Sequence, residues 1–247
     1  MLDLGADQGE DTDEDVVYGP DNPYRLEDLR RDPVPNWLDV TPDRFHEFKL
    51  DVYRECVRLA ARSRGFVRGI PDDRLGTLRG RHFHADLLDD GEALLSAAEA
   101  AIVLAQSQGD EAALRARTTI RLASAYRDAD NQFGLWDGRF AGTYLVRHRG
   151  ELQQLGGDPL SATWVNTLAR RIGAATATPG YSLHQRGISL DFENPEPGIR
   201  NEKTNTAMAR WRNTWFHAWL VAHAAEHGFE PYDGEAWHWN YTALMNE

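Results

Sequence analysis

The chain of 247 residues has a single cysteine, Cys56, so it can form no internal disulfide and build no thiolate metal cage from its own residues. It has no run of five lysines or arginines, and its 27 basic residues face 39 acidic ones, for a formal charge of -12. A surface of that sign repels phosphate backbones and lacks the electrostatic footprint of a nucleic-acid binder. Long apolar runs are missing too. Nothing approaches the roughly 20 residues that span a bilayer, and Met1 to Asp15 has neither the basic nor the apolar region of an export signal. The expectation is a soluble chain made in the cytoplasm, with no nucleic-acid partner and no membrane insertion.

What is present is the composition of a globular protein: 41% hydrophobic and 27% charged residues, with eight Trp, eight Tyr and nine Phe. Seven of the acids lie within the first twenty residues, where no basic residue occurs. Residues 1–35, acidic and rich in Gly, Pro and Asn, are therefore expected to form a partly disordered arm. Residues 36–247 are expected to form one domain.

Thr41-Pro42-Asp43 reads as a cap followed by proline at the first helical position, and Phe45, Phe48, Val52, Cys56 and Leu59 recur on one helical face. A second helix is predicted over 92–106, with Leu94, Leu95, Ala98, Ile102 and Leu104 as its apolar positions and Gly109 ending it. Thr118 to Ser124 alternates as a strand and delivers Tyr126-Arg127 at its end. Leu160, Trp164, Leu168 and Ile172 predict a further helix, followed by a turn at Pro179-Gly180. Met208, Trp211, Trp215, Trp219 and Ala222 form a last helical stripe that closes at Gly228.

Two of the nine histidines stand apart because each brings an acid. His184 precedes Asp191 by seven residues, and Gly187 between them permits a sharp reversal into the alternating run Ile188 to Phe192, so both side chains can meet at one ion. Glu235 precedes His238 by three: in a strand the two face opposite ways, in a helical turn or bulge they are neighbours, and spacing alone leaves both open. Two neutral imidazoles and a carboxylate are the donor set of a catalytic zinc site with one open position. A carboxylate that is not a ligand is the usual proton acceptor in such a site, and Glu235 is the candidate.

The pattern Ser-x-His-x-x-Gly-x-x-x-Asp at Ser182 to Asp191, followed by Glu-x-Trp-His at Glu235 to His238, resembles the signature of the VanY-type zinc D-alanyl-D-alanine carboxypeptidases. That group also holds the LAS peptidases and the hedgehog signalling domain. Ser124-Ala125-Tyr126-Arg127 with Gln132, Pro179-Gly180-Tyr181-Ser182, and Trp219-Leu220 with His227-Gly228-Phe229 are similar to further family elements, so the likeness spans about residues 85–243. Ser189 stands where a small apolar residue is often found, and Ala236 where proline is common.

The resemblance implies an α+β fold, hedgehog and D-Ala-D-Ala peptidase-like, in which a small antiparallel sheet carries the zinc site and is flanked by helices. It implies one Zn²⁺ per chain held by His184, Asp191 and His238, with Glu235 as catalytic base and Arg127 steadying the oxyanion. Ser182 and Gln132, with Arg127, would line the substrate pocket. Trp237 and Trp239 alternate about His238, so one can wall the pocket while the other enters the core.

The implied activity is hydrolysis of peptidoglycan stem peptides, most simply at the terminal D-Ala-D-Ala bond. The alternatives are endopeptidase cleavage between L-Ala and D-Glu or within cross-links, and a non-catalytic zinc-containing binding module. The substrate lies in the periplasm or cell wall, which calls for release by lysis as an endolysin, delivery as an effector by a secretion or contractile injection apparatus with an immunity protein as a further partner, or processing from a longer precursor.

Overall fold

A computed structural model of the chain describes residues 26–244. Most of the expected arm, residues 1–25, lies outside the described residues. Two apolar cores lie on either side of a cleft: a helical half built from residues 26–61 and 129–175, and a sheet-bearing half built from the rest.

In the helical half, α1 (Pro42–Ala61) starts where the cap and proline place it, with the Thr41 hydroxyl accepting from the Arg44 N–H at 3.3 Å. Phe45, Phe48, Val52 and Cys56 are buried, while Leu59 lies at the edge of the core. This face packs on α5 (Ala162–Ala175) through Trp164, Leu168 and Ile172. Leu160 sits before α5 in a left-handed turn at φ 73°, still covered by the same core. Between them α3 (Ala129–Arg139) passes through a π-helical turn, Phe140–Leu145, into α4 (Val146–Leu155).

The boundary expected near residue 35 does not mark the edge of this core. Leu29 is 3% exposed, and Lys49 on α1, 1% exposed, reaches Asp32 at 2.7 Å, Asp137 at 2.5 Å and the Arg30 carbonyl at 2.9 Å. An ammonium buried that deeply needs counter-charges, and residues 30–32 supply half of them.

In the sheet-bearing half, β1 (Leu75–Leu78) and β2 (Arg81–His84) form a hairpin closed by Arg79-Gly80, both at positive φ. The α2 helix (Leu88–Ser107) buries Leu94, Leu95, Ala98 and Ile102. Leu104, expected on that stripe, is 58% exposed, because two residues past Ile102 is more than half a turn away.

The main sheet has the order β3–β4–β6–β5, with every neighbouring pair antiparallel: β3 (Arg121–Ser124), β4 (Ser189–Glu193), β6 (His238–Tyr241) and β5 (Phe229–Pro231). β3 is shorter than the alternation predicts, since its partner β4 ends opposite Arg121 and the Ile120 N–H goes to the Glu99 carboxylate instead. The tryptophan stripe is two helices, α6 (Asn205–Arg212) and α7 (Trp215–His223). Thr214 breaks it by capping α7, accepting from the His217 N–H at 3.3 Å. Trp211, Phe216 and Leu220 then reach the core, while Ala222 faces solvent. The fold is the expected α+β arrangement, and no helix among the described residues is long and apolar enough to cross a membrane.

Candidate metal centre

The centre follows from strand register. Asp191 on β4 is paired with His238 on β6, and Ser189 with Asn240. Successive side chains on a strand alternate faces, so these four share the face opposite to Leu190 and Trp239, which enter the core. His184 comes from a short 3-10 turn, Leu183–Arg186. Ser182 opens that turn by accepting from the His184 N–H, and Gln185 reaches back to the Ser182 N–H at 2.8 Å. Gly187 ends it at φ 65°, where an added Cβ would lie 2.8 Å from Ile70 and 3.1 Å from the His84 nitrogen.

Each imidazole is anchored at its rear. His184 Nδ1–H donates to the Ala125 carbonyl at 2.5 Å, so Nε2 carries the free lone pair and faces Asp191 Oδ2 at 3.3 Å. His238 Nε2–H donates to Asn240 Oδ1 at 2.8 Å, which turns Nδ1 to Asp191 Oδ1 at 2.9 Å. The Ser189 hydroxyl donates to the same Asn240 oxygen at 2.7 Å. One donor atom from each of the three residues lies within 4.8 Å of the others.

Three lone-pair bearers aimed at one point repel unless a cation or a proton lies between them. Ligands about 2.0–2.1 Å from a tetrahedral zinc stand about 3.3 Å apart, close to the nitrogen-to-oxygen spacings here, so the donor set fits zinc. Burial pushes the Asp191 carboxyl up, but the two histidines outweigh it and hold the group well below the usual carboxylate range.

The centre opens into a cleft of about 970 Å³ between the two halves. Glu235 lines it from a turn whose Glu235 carbonyl accepts from the His238 N–H at 3.1 Å, which settles the open question of spacing in favour of a turn that places both side chains at the cleft. Arg127 lines it from the segment after β3, its own N–H donating to the His184 carbonyl at 3.2 Å. Burial lowers its guanidinium pKa, opposed by the charges of Asp191 and Glu235, and its Nε is buried with no hydrogen-bond partner. Ser182 lines the cleft, and Trp237 walls it while Trp239 is in the core.

Gln132 does not line the cleft. It is 1% exposed, and its amide donates to the Ala177 carbonyl at 2.6 Å, so it braces the wall from behind. Lys203, which sequence reasoning did not single out, forms an ion pair with Glu235 and donates to the Ala175 carbonyl at the end of α5. It stands far from Glu235 along the chain in a loop, with no pattern to reveal it. Asn240 and Ser189 did carry a signal: each is two residues from a ligand within a strand, on the same face.

A family model described as VanY, D-alanyl-D-alanine carboxypeptidase, matches residues 96–244. The chain belongs to the VanY family. It is a hydrolase of that carboxypeptidase class, and the match covers the main sheet and the three candidate ligands. Solved structures similar to it include a vancomycin-resistance D,D-pentapeptidase VanY from a VanB-type resistance cassette in complex with Zn(II), at 19% identity and TM-score 0.40 over 72% of this chain and 86% of that one. VanYB in complex with D-alanine-D-alanine shows 19% identity and TM-score 0.41 over 72% and 84%. The LD-carboxypeptidase LdcB shows 19% identity and TM-score 0.38 over 71% and 64%. No curated protein sequence matches the chain.

Proposed function

We propose that this VanY-family protein is a zinc D,D-carboxypeptidase that removes the terminal D-alanine from peptidoglycan stem peptides. The observation that carries the reading is the convergence of His184 Nε2, Asp191 and His238 Nδ1 beside Glu235 and Arg127 in one cleft. His184, Asp191 and His238 would hold one zinc ion per chain. Zinc bound there supplies Lewis-acid polarisation of the attacking water and of the scissile carbonyl.

Glu235 takes a proton from that water as its oxygen bonds to the carbonyl carbon, then passes the proton to the departing amine as the carbon–nitrogen bond breaks. Arg127, with an unpartnered Nε and a guanidinium partly removed from water, supplies donors for the oxyanion that develops. Ser182, at the cleft lining, offers a polar contact for substrate. Gln132 would act by bracing the wall through Ala177. In this reading residues 36–247 work as one zinc peptidase domain to which 26–35 is added by packing.

The substrate lies in the periplasm or cell wall. We propose that the enzyme reaches it by lysis, as an endolysin does, or through a secretion apparatus as an effector with an immunity partner.

The test is mass spectrometry of tetrapeptide and pentapeptide stems after incubation with the zinc-loaded protein and with Glu235→Ala. Loss of one alanine from the pentapeptide alone, abolished in Glu235→Ala with zinc still bound, is the expected result. Cleavage inside the stem or cross-link makes the protein an endopeptidase. Absence of any Glu235-dependent product overturns the hydrolytic reading in favour of a binding module.

A further inference from the structure

The wall of the cleft opposite the sheet carries a charge that the reaction at the metal centre does not use. Arg139, Thr143, Tyr144 and Arg147 all line it, and they come from the π-helical turn Phe140–Leu145 and the residues on either side of it. A π turn closes its hydrogen bonds one residue later than an α turn and occurs often at functional sites. The wider turn keeps Phe140 and Leu145 in the core while both arginines reach the cleft. Tyr144 fixes this wall by donating from its hydroxyl to Thr176 at 2.8 Å.

The chain carries 39 acids against 27 bases, and many of its surface arginines are paired, such as Arg44 with Asp158 and Arg171 with Glu151. Arg139, Arg147 and Arg64 are among the described arginines that form no ion pair and, unlike most of those, they line the cleft, where Arg64 approaches the Tyr181 carbonyl at 3.4 Å. The acids of the cleft are otherwise engaged: Asp191 with the two histidines and Glu235 with Lys203, which leaves Glu202. Arg139 also lies close enough to Arg127 to disfavour its charge. Cations that line one cleft without an acid of their own gain when an anion arrives there.

We propose that Arg139 and Arg147, assisted by Arg64, form a second anion subsite that binds a free carboxylate of the peptide upstream of the scissile bond. The proposal rests on the reading of the cleft as a stem-peptide site, and makes the preferred substrate an acidic peptide. A guanidinium fork matches a carboxylate in two parallel hydrogen bonds. A stem peptide can offer that group in two places: the α-carboxylate of a γ-linked D-glutamate, or the side-chain carboxylate of a diamino diacid at the third position.

The experiment uses two pairs of pentapeptides, D-glutamate against D-isoglutamine at the second position and diaminopimelate against lysine at the third. kcat and KM are measured with the zinc-loaded protein, and binding of the same peptides to its zinc-loaded Glu235→Ala variant is measured by calorimetry. One carboxylate peptide is expected to be preferred about fivefold to tenfold over its neutral counterpart, the scale of one or two half-exposed ion pairs. That preference should sit in KM, and should fall to near unity in the Arg139→Gln/Arg147→Gln double variant. The pair that shows it identifies the carboxylate.

Equal handling of both members of both pairs by the parent protein overturns the subsite, as does a preference that survives in the double variant. Should no peptide be hydrolysed, the reading of the site as a peptidase fails, while the calorimetric comparison still decides the subsite by the same criterion.

Discussion

Ser189 and Asn240 face one another across β4 and β6, and the Ser189 hydroxyl donates at 2.7 Å to the amide oxygen that also accepts from His238 Nε2 at 2.8 Å. The pair lies one register step behind Asp191 and His238, so the same strand pairing that assembles the ligands also assembles the group that orients one of them. Both residues are almost fully buried, which holds the oxygen against the ring and keeps the lone pair on Nδ1.

Asn240→Ala removes that acceptor and leaves His238 free to turn or to exchange tautomers. Zinc affinity, measured by competition with a chromophoric chelator, is expected to fall about 10- to 100-fold. Asn240→Asp, which keeps an acceptor in place, should retain more of it, and Ser189→Ala should fall between. An unchanged affinity in Asn240→Ala would show that the register of β6 alone suffices to orient the ring.

How far the centre was legible follows from these residues. His184 with Asp191 and Glu235 with His238 stand out along the chain as two short His–acid runs, but spacing alone does not decide their geometry, and their expected roles come from the likeness to the VanY-type signature; the structure brings all four to one cleft. The position of Gln132 was not legible because a side chain five residues past Arg127 on α3 can point into the cleft or behind its wall, and its hydrogen bond to the Ala177 carbonyl is a long-range contact. Lys203 and the arginine wall come from segments brought to the cleft by packing of the two halves, which no local pattern encodes. In the fold, the caps and apolar faces of α1 and α5 were readable. The break at Thr214 was not, because a threonine inside an apolar stripe gives no sign that its hydroxyl will cap a new helix.

Metal removal should be felt by the whole fold. A ligand that binds only the native state at about 1,000 times its Kd adds about 4.1 kcal/mol, which for a domain of this size corresponds to about 10 °C in Tm. Chelation is expected to lower Tm by that order and re-addition of zinc to restore it, whereas Asp191→Ala should melt alike with and without zinc. Equal melting curves for the chelated and zinc-loaded parent protein would break the link between centre and fold.

Acid should weaken the sheet-bearing half through His217. Its ring packs against Trp211 at 5.9 Å and Trp239 at 6.3 Å, and burial, helped by Arg212, holds its pKa below the ordinary value. The native state therefore binds this proton less readily than the unfolded chain. Its stability is full above about pH 6.5 and falls as the pH drops through the native pKa, by at most about 1.4 kcal/mol per pH unit for one site. Urea unfolding of the zinc-free protein between pH 7 and 5 should show a shallower decline in His217→Gln than in the parent.

Cys56 is set up to be inert. It is buried among the residues joining α1 and α5, and burial pushes its thiol up to about 12. A thiol-specific reagent at pH 8 should leave the native protein unmodified and label it fully in urea, with the labelling rate set by opening of the helical half. Because the native pKa is raised, the stability associated with this group is full below the unfolded thiol pKa of about 8.5 and lost as pH rises toward the native value. Rapid labelling of the folded protein would mean that the α1–α5 contact opens freely.

The Lys49 network is the most exacting prediction about the helical half. Lys49 and the side chain of Asp32 are 1% and 5% exposed, and Asp137, 11% exposed, lies on the other side of the ammonium. Lys49→Met keeps the length and apolar stem of the side chain but leaves the two carboxylates with the half-exposed Arg30, at 3.1 and 3.4 Å, as their one remaining cation, so the loss is expected to fall below the about 3–5 kcal/mol of a buried pair deprived of one partner. Converting Asp32 and Asp137 to Asn in the same chain removes the excess buried negative charge and should recover part of the loss, Arg30 being exposed enough to stay solvated. The urea midpoints of the parent, single and triple variants decide the matter. If Lys49→Met alone proves harmless, the packing of residues 26–35 rests on Leu29 and its neighbours and the buried charges contribute nothing to it.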